Sequence, residues 1–200
     1  MTGIWKSTLE SFRESVASAE PAPAGVSVSA VSATLGLSLL EKVLEIMAKR
    51  KNFAGDRGRL AALRQAARDE TERLAEYADE DIAAYRAYMG ARGLRTADAE
   101  RASALRGVIE TPLKAARSAL SGLELCADAA GMVHGAVAAD LATAAILLAG
   151  AVRAMLLSVD ANLQQLPNRE AAAEGREIEE RAVRQLDSVL RRTNITSGSA

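Results

Sequence analysis

Apolar residues recur along most of this chain at spacings of three and four, the repeat that places side chains on one face of an α-helix. An amphipathic stretch at residues 4–16 is followed by a stretch at residues 27–47 that is apolar almost all round. A charge-laced helical repeat then covers residues 59–89. Because a helix that is apolar on all sides has neighbours on several faces, residues 27–47 are predicted to form the central helix of a bundle.

The second half of the chain continues the helical repeat. It covers residues 98–108 and 112–127, and Pro112 either opens a new helix or kinks a continuing one, because proline lacks the N–H that an interior position donates. An apolar helix ending near Leu163 and a Glu- and Arg-rich helix at residues 170–190 follow. No β-branched or aromatic run alternates between turn residues as a strand would. The pattern predicts an all-α, antiparallel bundle of about six to seven helices.

Composition favours a single domain that assembles into an oligomer. The 200 residues, 49% of them hydrophobic, suit a single domain over residues 1–200, whose small, polar tail at residues 193–200 is expected to be disordered. Only 3% of residues are aromatic, so the core must be filled by close approach of helices rich in Ala, Leu and Val. Such a core favours an oligomer that buries more surface.

Charge and cysteine content exclude several classes of function. A net charge of -1 without a basic stripe argues against nucleic-acid binding. The single cysteine, Cys126, cannot form an intramolecular disulfide and is predicted to be a buried, structural residue. Acidic residues interrupt the first 20 positions, and Asp140 and Arg153 interrupt the longest apolar run, so neither a secretory signal nor a membrane span is expected. We therefore expect a cytoplasmic protein with no membrane partner and no metal site.

A proline-rich turn at residues 21–25 leads directly into the central helix. Pro21 and Pro23 fix the backbone on either side of Ala22, and Gly25 is free to adopt a positive φ, so the chain can turn sharply and expose backbone N–H groups. Ser27 then lies where a helix N-terminus collects anions or oxyanions. The alternatives are a tight interhelical turn without a ligand and a serine that only caps its own helix.

This turn resembles the signature of the cyclodeaminase/cyclohydrolase family, in which a Pro-x-Pro-Gly-Gly-Gly-Ser run opens such a helix. In this chain Ala24 and Val26 stand where the family has two of the three glycines. Further segments that resemble the family follow in its order and cover nearly the whole chain: the Asp-Glu-Asp helix at residues 78–85, the Thr-Pro-Leu turn at residues 110–113, Asp140 with Arg153, and the Asn-Leu pair at residues 162–163.

The resemblance implies a homodimer of all-helical subunits, with a folate site in a groove lined by the glycine turn and the Asp-bearing helix. It implies an enzyme that acts on a one-carbon tetrahydrofolate without a further cofactor, by hydrolysing methenyl-tetrahydrofolate to formyl-tetrahydrofolate or by cyclodeamination of formimino-tetrahydrofolate. Ala136-Val-Ala-Ala-Asp140 replaces the family's Asn-Ala-Val-Ser-Asp. Two alternatives therefore remain open: a family member with a different small-molecule substrate, and a non-catalytic helical dimer.

Three carboxylates are candidates for catalysis. Asp140 stands among Ala, Leu and Ile, and burial there would raise its pKa toward the range of a general base, although an acid near a helix N-terminus also favours the helix dipole. Asp81 and Asp79 are candidates for a second carboxylate, because hydrolysis or deamination of an amidinium-like carbon needs one group to activate water and another to handle the leaving nitrogen. A solvated acidic face is the alternative for this pair.

The remaining candidates are predicted to bind the substrate. Arg50 and Lys51 follow the central helix and could hold a carboxylate such as the glutamate tail of folate, or could be ordinary surface cations. Thr143 shares the helical face of Asp140, and His134 lies at the helix break and could titrate near neutrality. Gly25, Val26 and Ser27 are predicted to shape the pocket. The full set of binding candidates is Gly25, Val26, Ser27, Arg50, Lys51, Thr143 and His134.

Overall fold

The computed structural model describes residues 3–93 and 98–194. Within these ranges the chain forms a 3-10 helix at Ile4–Lys6 and six α-helices, and contains no strand. The helices are α1 (Leu9–Ala17), α2 (Gly25–Lys49), α3 (Arg57–Gly93), α4 (Asp98–Ala130), α5 (Val137–Leu163) and α6 (Arg169–Thr193). The predicted all-α fold is confirmed.

Helices α2 to α5 form a closed, antiparallel four-helix bundle. Neighbouring pairs are α2 with α3, α3 with α4, α4 with α5, and α5 with α2, while α6 packs on α4 and α5. The first residues of α2 lie beside the last third of α3, where Ser27 hydrogen-bonds Asp81, and the last residues of α2 lie beside the start of α3, where Glu45 pairs with Arg64. The bundle therefore has two ends, which we call the Ser27 end and the Arg50 end.

The core is built from small and medium side chains that let the helices approach closely. A Cβ at Gly36 of α2 would lie 3.1 Å from the backbone oxygen of Ala144 in α5, and a Cβ at Gly122 of α4 would lie 2.9 Å from Leu37. Leu37 and Leu148 are fully buried between these glycines. The low aromatic content is thus compensated by close helix contacts, as the composition predicts.

Pro112 lies inside α4, so of the two alternatives left open by the sequence, the helix continues through the proline. Because proline has no N–H, the carbonyl of Val108, four residues earlier, loses its intrahelical partner. The side-chain amide of Asn162 in α5 donates a hydrogen bond to that oxygen at 2.8 Å. Asn162 therefore satisfies a backbone group that the proline leaves free.

The first predicted helix, at residues 4–16, is divided between the 3-10 helix and α1. Asp79 accepts a hydrogen bond from the Ile4 N–H at 3.0 Å, and the Trp5 indole donates to the carbonyl of Ala75 at 2.9 Å, so α3 holds the 3-10 helix. No residue of α1 is buried, and Leu9 is 79% exposed. The prediction of one continuous amphipathic helix is wrong here, because the chain bends at Ser7.

The chain end is more ordered than expected at the residues that the structure describes. Thr193 is buried and is the last residue of α6, and Asn194 follows in the left-handed conformation with φ 54°. Asparagine adopts this conformation readily, so it is a common residue at a helix C-terminus. The predicted disordered tail at residues 193–200 is thus wrong for these two positions, and residues 195–200 lie outside the described residues.

Helices α2 and α5 are long and apolar enough, by length and composition, to cross a membrane. About half of the most apolar part of each helix is buried inside the bundle, and the remaining residues are partly or fully exposed. Leu35 of α2 and Ile146 and Leu157 of α5 are more than half exposed.

The close contact at Gly36 gives a first prediction. Replacing Gly36 with Ala should lower the free energy of unfolding by about 1–3 kcal/mol, because the new Cβ meets backbone that cannot rotate away. Gly107→Ala in α4 is the matched control: its Cβ meets only Ala84 at 3.8 Å, and Ala favours helix over Gly by about 1 kcal/mol. Urea denaturation measures both changes. Equal stability of the two variants would contradict the proposed packing.

Candidate functional site

The candidate site begins at the N-terminus of α2. Ala24 occupies the N-cap position and has no polar side chain to accept hydrogen bonds from the first turn. A carboxylate from α3 takes this place: Asp81 accepts a hydrogen bond from the Ser27 backbone and another, at 3.0 Å, from the fully buried Ser27 hydroxyl. Since helix N-termini favour negative charge, Asp81 is well placed to balance the end of α2 from a neighbouring helix.

Opposing effects set the protonation of Asp81, whose side chain is half-buried. Burial raises the pKa of this carboxyl above its ordinary value of 3.8, because the low-dielectric surroundings disfavour the charged form. Hydrogen bonds from the Ser27 side chain and backbone stabilise the charge and lower the pKa, but they do not offset burial. Asp81 is therefore a carboxylate with increased basicity, as a general base requires.

Asp81 faces a cavity of about 190 Å³ at the Ser27 end of the bundle. Tyr85, one turn after Asp81 on α3, and Ser158 and Asn162, one turn apart on α5, contribute the other polar side chains. Apolar atoms form most of the remaining wall. The other lining residues are Ala22, Ala24, Gly25, Val26, Val108, Pro112 and Ala161.

The turn before α2 differs from the prediction. Gly25 is the first helical residue and does not adopt a positive φ; the reversal of the chain includes a cis peptide bond between Ala22 and Pro23. A Cβ on Gly25 would meet only the hydroxyl of Ser158, at 3.9 Å. Ser27 is the third residue of α2, so it is not the N-cap. Val26 is buried and lines the cavity, as expected for a branched side chain that narrows it.

The side chains of Asp79 and Asp81 line different cavities. Two residues apart on a helix, their side chains point about 200° apart. Asp79 accepts a hydrogen bond from the Ile4 N–H and lines a separate, wider cavity of about 830 Å³ between α1 and α3, which shares only Ala22 with the Asp81 cavity. Of the two candidates for a second carboxylate, Asp81 lines the cavity at the Ser27 end, whereas Asp79 anchors the 3-10 helix.

The expectation that Asp140 is buried is also wrong. Its side chain is 35% exposed and forms an ion pair of 2.8 Å with Lys42 of α2, whose side chain is 56% exposed. Asp140 lies in the first turn of α5, where its negative charge interacts favourably with the helix dipole. Thr143 is exposed, and its hydroxyl donates to the carbonyl of Ala139 in its own helix at 2.9 Å.

The basic candidates lie at the Arg50 end. Both terminal nitrogens of Arg50 lie 3.4 Å from the carbonyl oxygen of His134, and the two residues line a cavity of about 420 Å³ together with Phe53. Lys51 is exposed in the turn after α2, and His134 is exposed as well. None of these residues lines the Asp81 cavity.

The candidate residues thus fall into two groups at opposite ends of the bundle. Asp140 and Ser158 are separated by five turns of α5, a distance of about 27 Å. The Ser27 end contains Gly25, Val26, Ser27 and Asp81. The remaining candidates lie toward the Arg50 end: Arg50, Lys51, His134, Asp140 and Thr143. A single groove containing both the glycine turn and Asp140 is therefore not formed within one chain.

Three residues of the cavity, Tyr85, Ser158 and Asn162, are not among the candidate site residues that the sequence predicts, although segments 78–85 and 162–163 belong to the resemblance. The spacing of four between Asp81 and Tyr85 places both on one helical face and could have indicated the tyrosine. The contact of Asn162 with the carbonyl left free by Pro112 depends on the pairing of α4 with α5, which has no local signal.

Two other buried polar groups serve packing. Cys126 is fully buried, and desolvation raises the pKa of its thiol to about 12, which suits the predicted structural role. Glu70 of α3 accepts a hydrogen bond from Ser118 of α4 at 2.5 Å and pairs with Arg73. Among the residues that the structure describes, no group of three His, Cys, Asp or Glu side chains is arranged to hold a metal ion.

The fold is that of a cyclodeaminase-type helical domain. The crystal structure of formiminotetrahydrofolate cyclodeaminase from Thermotoga maritima superimposes with a TM-score of 0.83, covering 94% of each chain at 20% sequence identity. A methenyltetrahydrofolate cyclohydrolase from Methylorubrum extorquens is 26% identical over 175 residues, which is 84% of each protein. The sequence model of the family described as formiminotransferase-cyclodeaminase matches residues 8–181. The chain therefore belongs to this family, and the resemblance inferred from its motifs is confirmed.

The raised pKa of Asp81 gives a prediction for stability. The folded state binds this proton more readily than the unfolded chain does, so stability decreases as pH rises from about 3.8 through the higher pKa of the folded state. Asp81→Asn, which keeps an acceptor for Ser27 and removes the charge, should raise Tm at pH 7. The gain should shrink below pH 3.8, where the wild-type carboxyl is protonated as well.

Thermal unfolding followed by circular dichroism at pH 7 and pH 3.5 measures this difference. Glu80→Gln is the matched control, since Glu80 is the exposed neighbour of Asp81, and it should leave Tm unchanged at both pH values. A lower Tm for Asp81→Asn than for wild type at pH 7 would show that ionisation of Asp81 stabilises the fold, contrary to this account.

Proposed function

We propose that this protein is an enzyme of one-carbon folate metabolism that hydrolyses methenyl-tetrahydrofolate to formyl-tetrahydrofolate. The observation that carries the proposal is the carboxylate of Asp81, which lines a cavity at the N-terminus of α2 and whose pKa is raised by burial. Membership of the family over residues 8–181 and the likeness to a methenyltetrahydrofolate cyclohydrolase support the choice of substrate.

Asp81 is proposed as the general base. The one-carbon unit of the substrate is an amidinium-like cation between two nitrogens. As the oxygen of water bonds to this carbon, Asp81 accepts a proton from the water and a neutral carbinolamine forms. The protonated Asp81 then returns its proton to the leaving nitrogen as the C–N bond breaks, and the hydroxyl proton passes to solvent as the formyl C=O forms.

The surroundings of Asp81 suit this cycle. Ser27 fixes the orientation of the carboxylate through the 3.0 Å hydrogen bond from its hydroxyl and a further hydrogen bond from its backbone. Burial increases the basicity of the group, and the apolar walls strengthen its attraction for a cation. The polar edge of the substrate's ring system could be contacted by three polar side chains that line the cavity, Tyr85, Ser158 and Asn162.

Cyclodeamination of formimino-tetrahydrofolate is the second reaction that the site accommodates. In that reaction the free secondary amine of the substrate attacks the formimino carbon and its proton passes to the formimino nitrogen. The C–N bond to that nitrogen then breaks, and the nitrogen takes a second proton from an acid as it leaves as ammonia, so the methenyl cation forms. Protonated Asp81 is the proposed donor, and a raised pKa increases the protonated fraction near neutral pH. The likeness to the Thermotoga maritima cyclodeaminase concerns the fold and does not decide between the two reactions.

One observation favours a smaller substrate as the alternative. The Asp81 cavity of about 190 Å³ is below the range of about 300–1,000 Å³ that is usual for small-molecule sites, and Val26 contributes to its narrowing. Folate would therefore have to extend into the adjoining space beyond Ala22. A compact amidine or formamidine undergoing the same hydrolysis would fit within the cavity itself.

Loss of the methenyl-tetrahydrofolate chromophore tests the proposal. Wild-type protein should accelerate its decay above the spontaneous rate, and Asp81→Asn should lower kcat/KM by about 10²- to 10⁴-fold, the usual contribution of a general base. Ser27→Ala should cause a smaller loss, because it removes one hydrogen bond and leaves the carboxylate.

Glu80→Gln is again the control and should retain full activity, since Glu80 points to solvent. Decay at the spontaneous rate with wild-type protein, and no chromophore formed from the formimino compound, would rule out the folate proposal. Hydrolysis of a small formamidine by the same preparation would then support the alternative substrate.

A further inference from the structure

We propose that the wider cavity between α1 and α3 holds the p-aminobenzoyl-glutamate arm of the folate, where Arg86 binds one carboxylate of the first glutamate and two acidic residues oppose longer glutamate chains. This cavity of about 830 Å³, which we call the arm cavity, adjoins the Asp81 cavity at Ala22. The inference rests on the proposed function, because it concerns the part of the substrate that the Asp81 cavity is too small to contain. It predicts selectivity for folates that carry a single glutamate.

The arm cavity continues from the Asp81 cavity around the surface of α3. Four side chains follow one another within about 140° of this helix, counted at about 100° per residue: Asp81, Tyr85, Ile82 and Arg86. The first two line the Asp81 cavity, the last two line the arm cavity, and Ala22 lines both. A substrate whose reacting carbon lies at Asp81 can therefore continue past Ala22 to Arg86, about 7.5 Å further along the helix axis.

The arm cavity has an apolar section suited to the benzoyl ring. Ile82 is buried in its wall, and Ile4 and Pro23 are half-buried there. Pro23 follows Ala22 directly and Ile82 follows Asp81, so both lie next to the boundary between the two cavities. In methenyl-tetrahydrofolate the benzoyl ring is attached to a nitrogen of the reacting one-carbon unit. The ring must therefore lie at this boundary when the carbon lies at Asp81.

Arg86 is the basic group of the arm cavity. It is the one Lys or Arg among the described residues that line this cavity, its side chain is exposed, and no described residue forms an ion pair with it. Asp79, seven residues earlier on the same face of α3, instead accepts the hydrogen bond from the Ile4 N–H. A guanidinium without a partner is free to bind a carboxylate through two parallel hydrogen bonds. Arg86 therefore provides a site for one carboxylate of glutamate.

Acidic residues of the opposite wall disfavour further glutamates. Glu14 of α1 and Glu20 of the turn that follows are exposed at the arm cavity. The hydroxyls of Ser15 and Ser18 donate to carbonyls of α1, so these donors are already used. Each glutamate added to the arm brings one more carboxylate, and no second cation among the described lining residues can pair with it. Repulsion from Glu14 and Glu20 then lowers the affinity for longer chains, which is one way in which a site rejects a related ligand.

Binding of an arm fragment tests the site without any assay of activity. p-Aminobenzoyl-glutamate should bind wild-type protein, and Arg86→Ala should raise its dissociation constant about tenfold, the effect of losing a charged hydrogen-bonding partner. p-Aminobenzamide, which keeps the ring and lacks the glutamate, should bind both proteins equally. Arg13→Ala is the matched control, since Arg13 is an exposed arginine of α1 that does not line the arm cavity, and it should change neither dissociation constant. Ligand-observed NMR measures these values.

The length of the glutamate chain tests the acidic wall. Wild-type protein should have a KM about tenfold lower for methenyl-tetrahydrofolate with one glutamate than with three, and high salt should reduce this preference. Glu14→Gln/Glu20→Gln should bring the two KM values together and leave kcat unchanged, because these residues face the arm and not the reacting carbon. Glu10→Gln, exposed on α1 but outside the arm cavity, should retain the preference.

The possible outcomes separate the arm site from the proposed function. Absence of p-aminobenzoyl-glutamate binding, a dissociation constant that Arg86→Ala leaves unchanged, or a lower KM for three glutamates would overturn the arm site, while turnover of the folate would still support the enzyme. Binding that depends on Arg86 without turnover of either folate would instead contradict the proposed function and leave the arm site intact.

Discussion

The hydrogen bond from Ser27 to Asp81 is the interaction on which the account of this protein depends. It connects the N-terminus of the central helix to α3, substitutes for a missing N-cap side chain at Ala24, and holds a carboxylate where burial increases its basicity. A carboxylate kept at such a position costs folding free energy when it ionises, and proteins retain such costs mainly where the group has a task. The same contact thus fixes the register of two helices and defines the reactive group.

The helical pattern was sufficient to predict the bundle, because long apolar and amphipathic repeats are local features. The pattern at residues 27–47 correctly indicates a central helix, and α2 is buried on several sides. Of the two alternatives that the sequence leaves open at Pro112, the structure has the continuing helix, in which Asn162, distant in sequence, satisfies the carbonyl that proline leaves free. One local prediction of a helix fails for an identifiable reason. The stretch at residues 4–16 bends because Asp79 and Ala75 of α3 hold its first residues.

The candidate site was only partly predictable. Gly25, Val26 and Ser27 lie together with Asp81, whereas the sequence predicts Asp140 as the carboxylate beside this turn. An acid among Ala and Leu residues looks buried from its neighbours in sequence, whereas its position on the outer side of α5 exposes it to Lys42. Which face of an apolar helix points inward depends on all its neighbours. When both faces are apolar, the sequence alone cannot distinguish the face in the core from the exposed face.

The pKa of Asp81 itself tests the central claim most directly. A titration of the carboxyl carbon by NMR, with Asp81→Asn used to assign the signal, reports it without any substrate. The account predicts a pKa above 3.8 in the wild type and a further increase in Ser27→Ala, since the serine hydrogen bond lowers it. A pKa at or below 3.8, or one that does not respond to the loss of the Ser27 hydroxyl, would contradict the claim that burial and this hydrogen bond determine the basicity of the site.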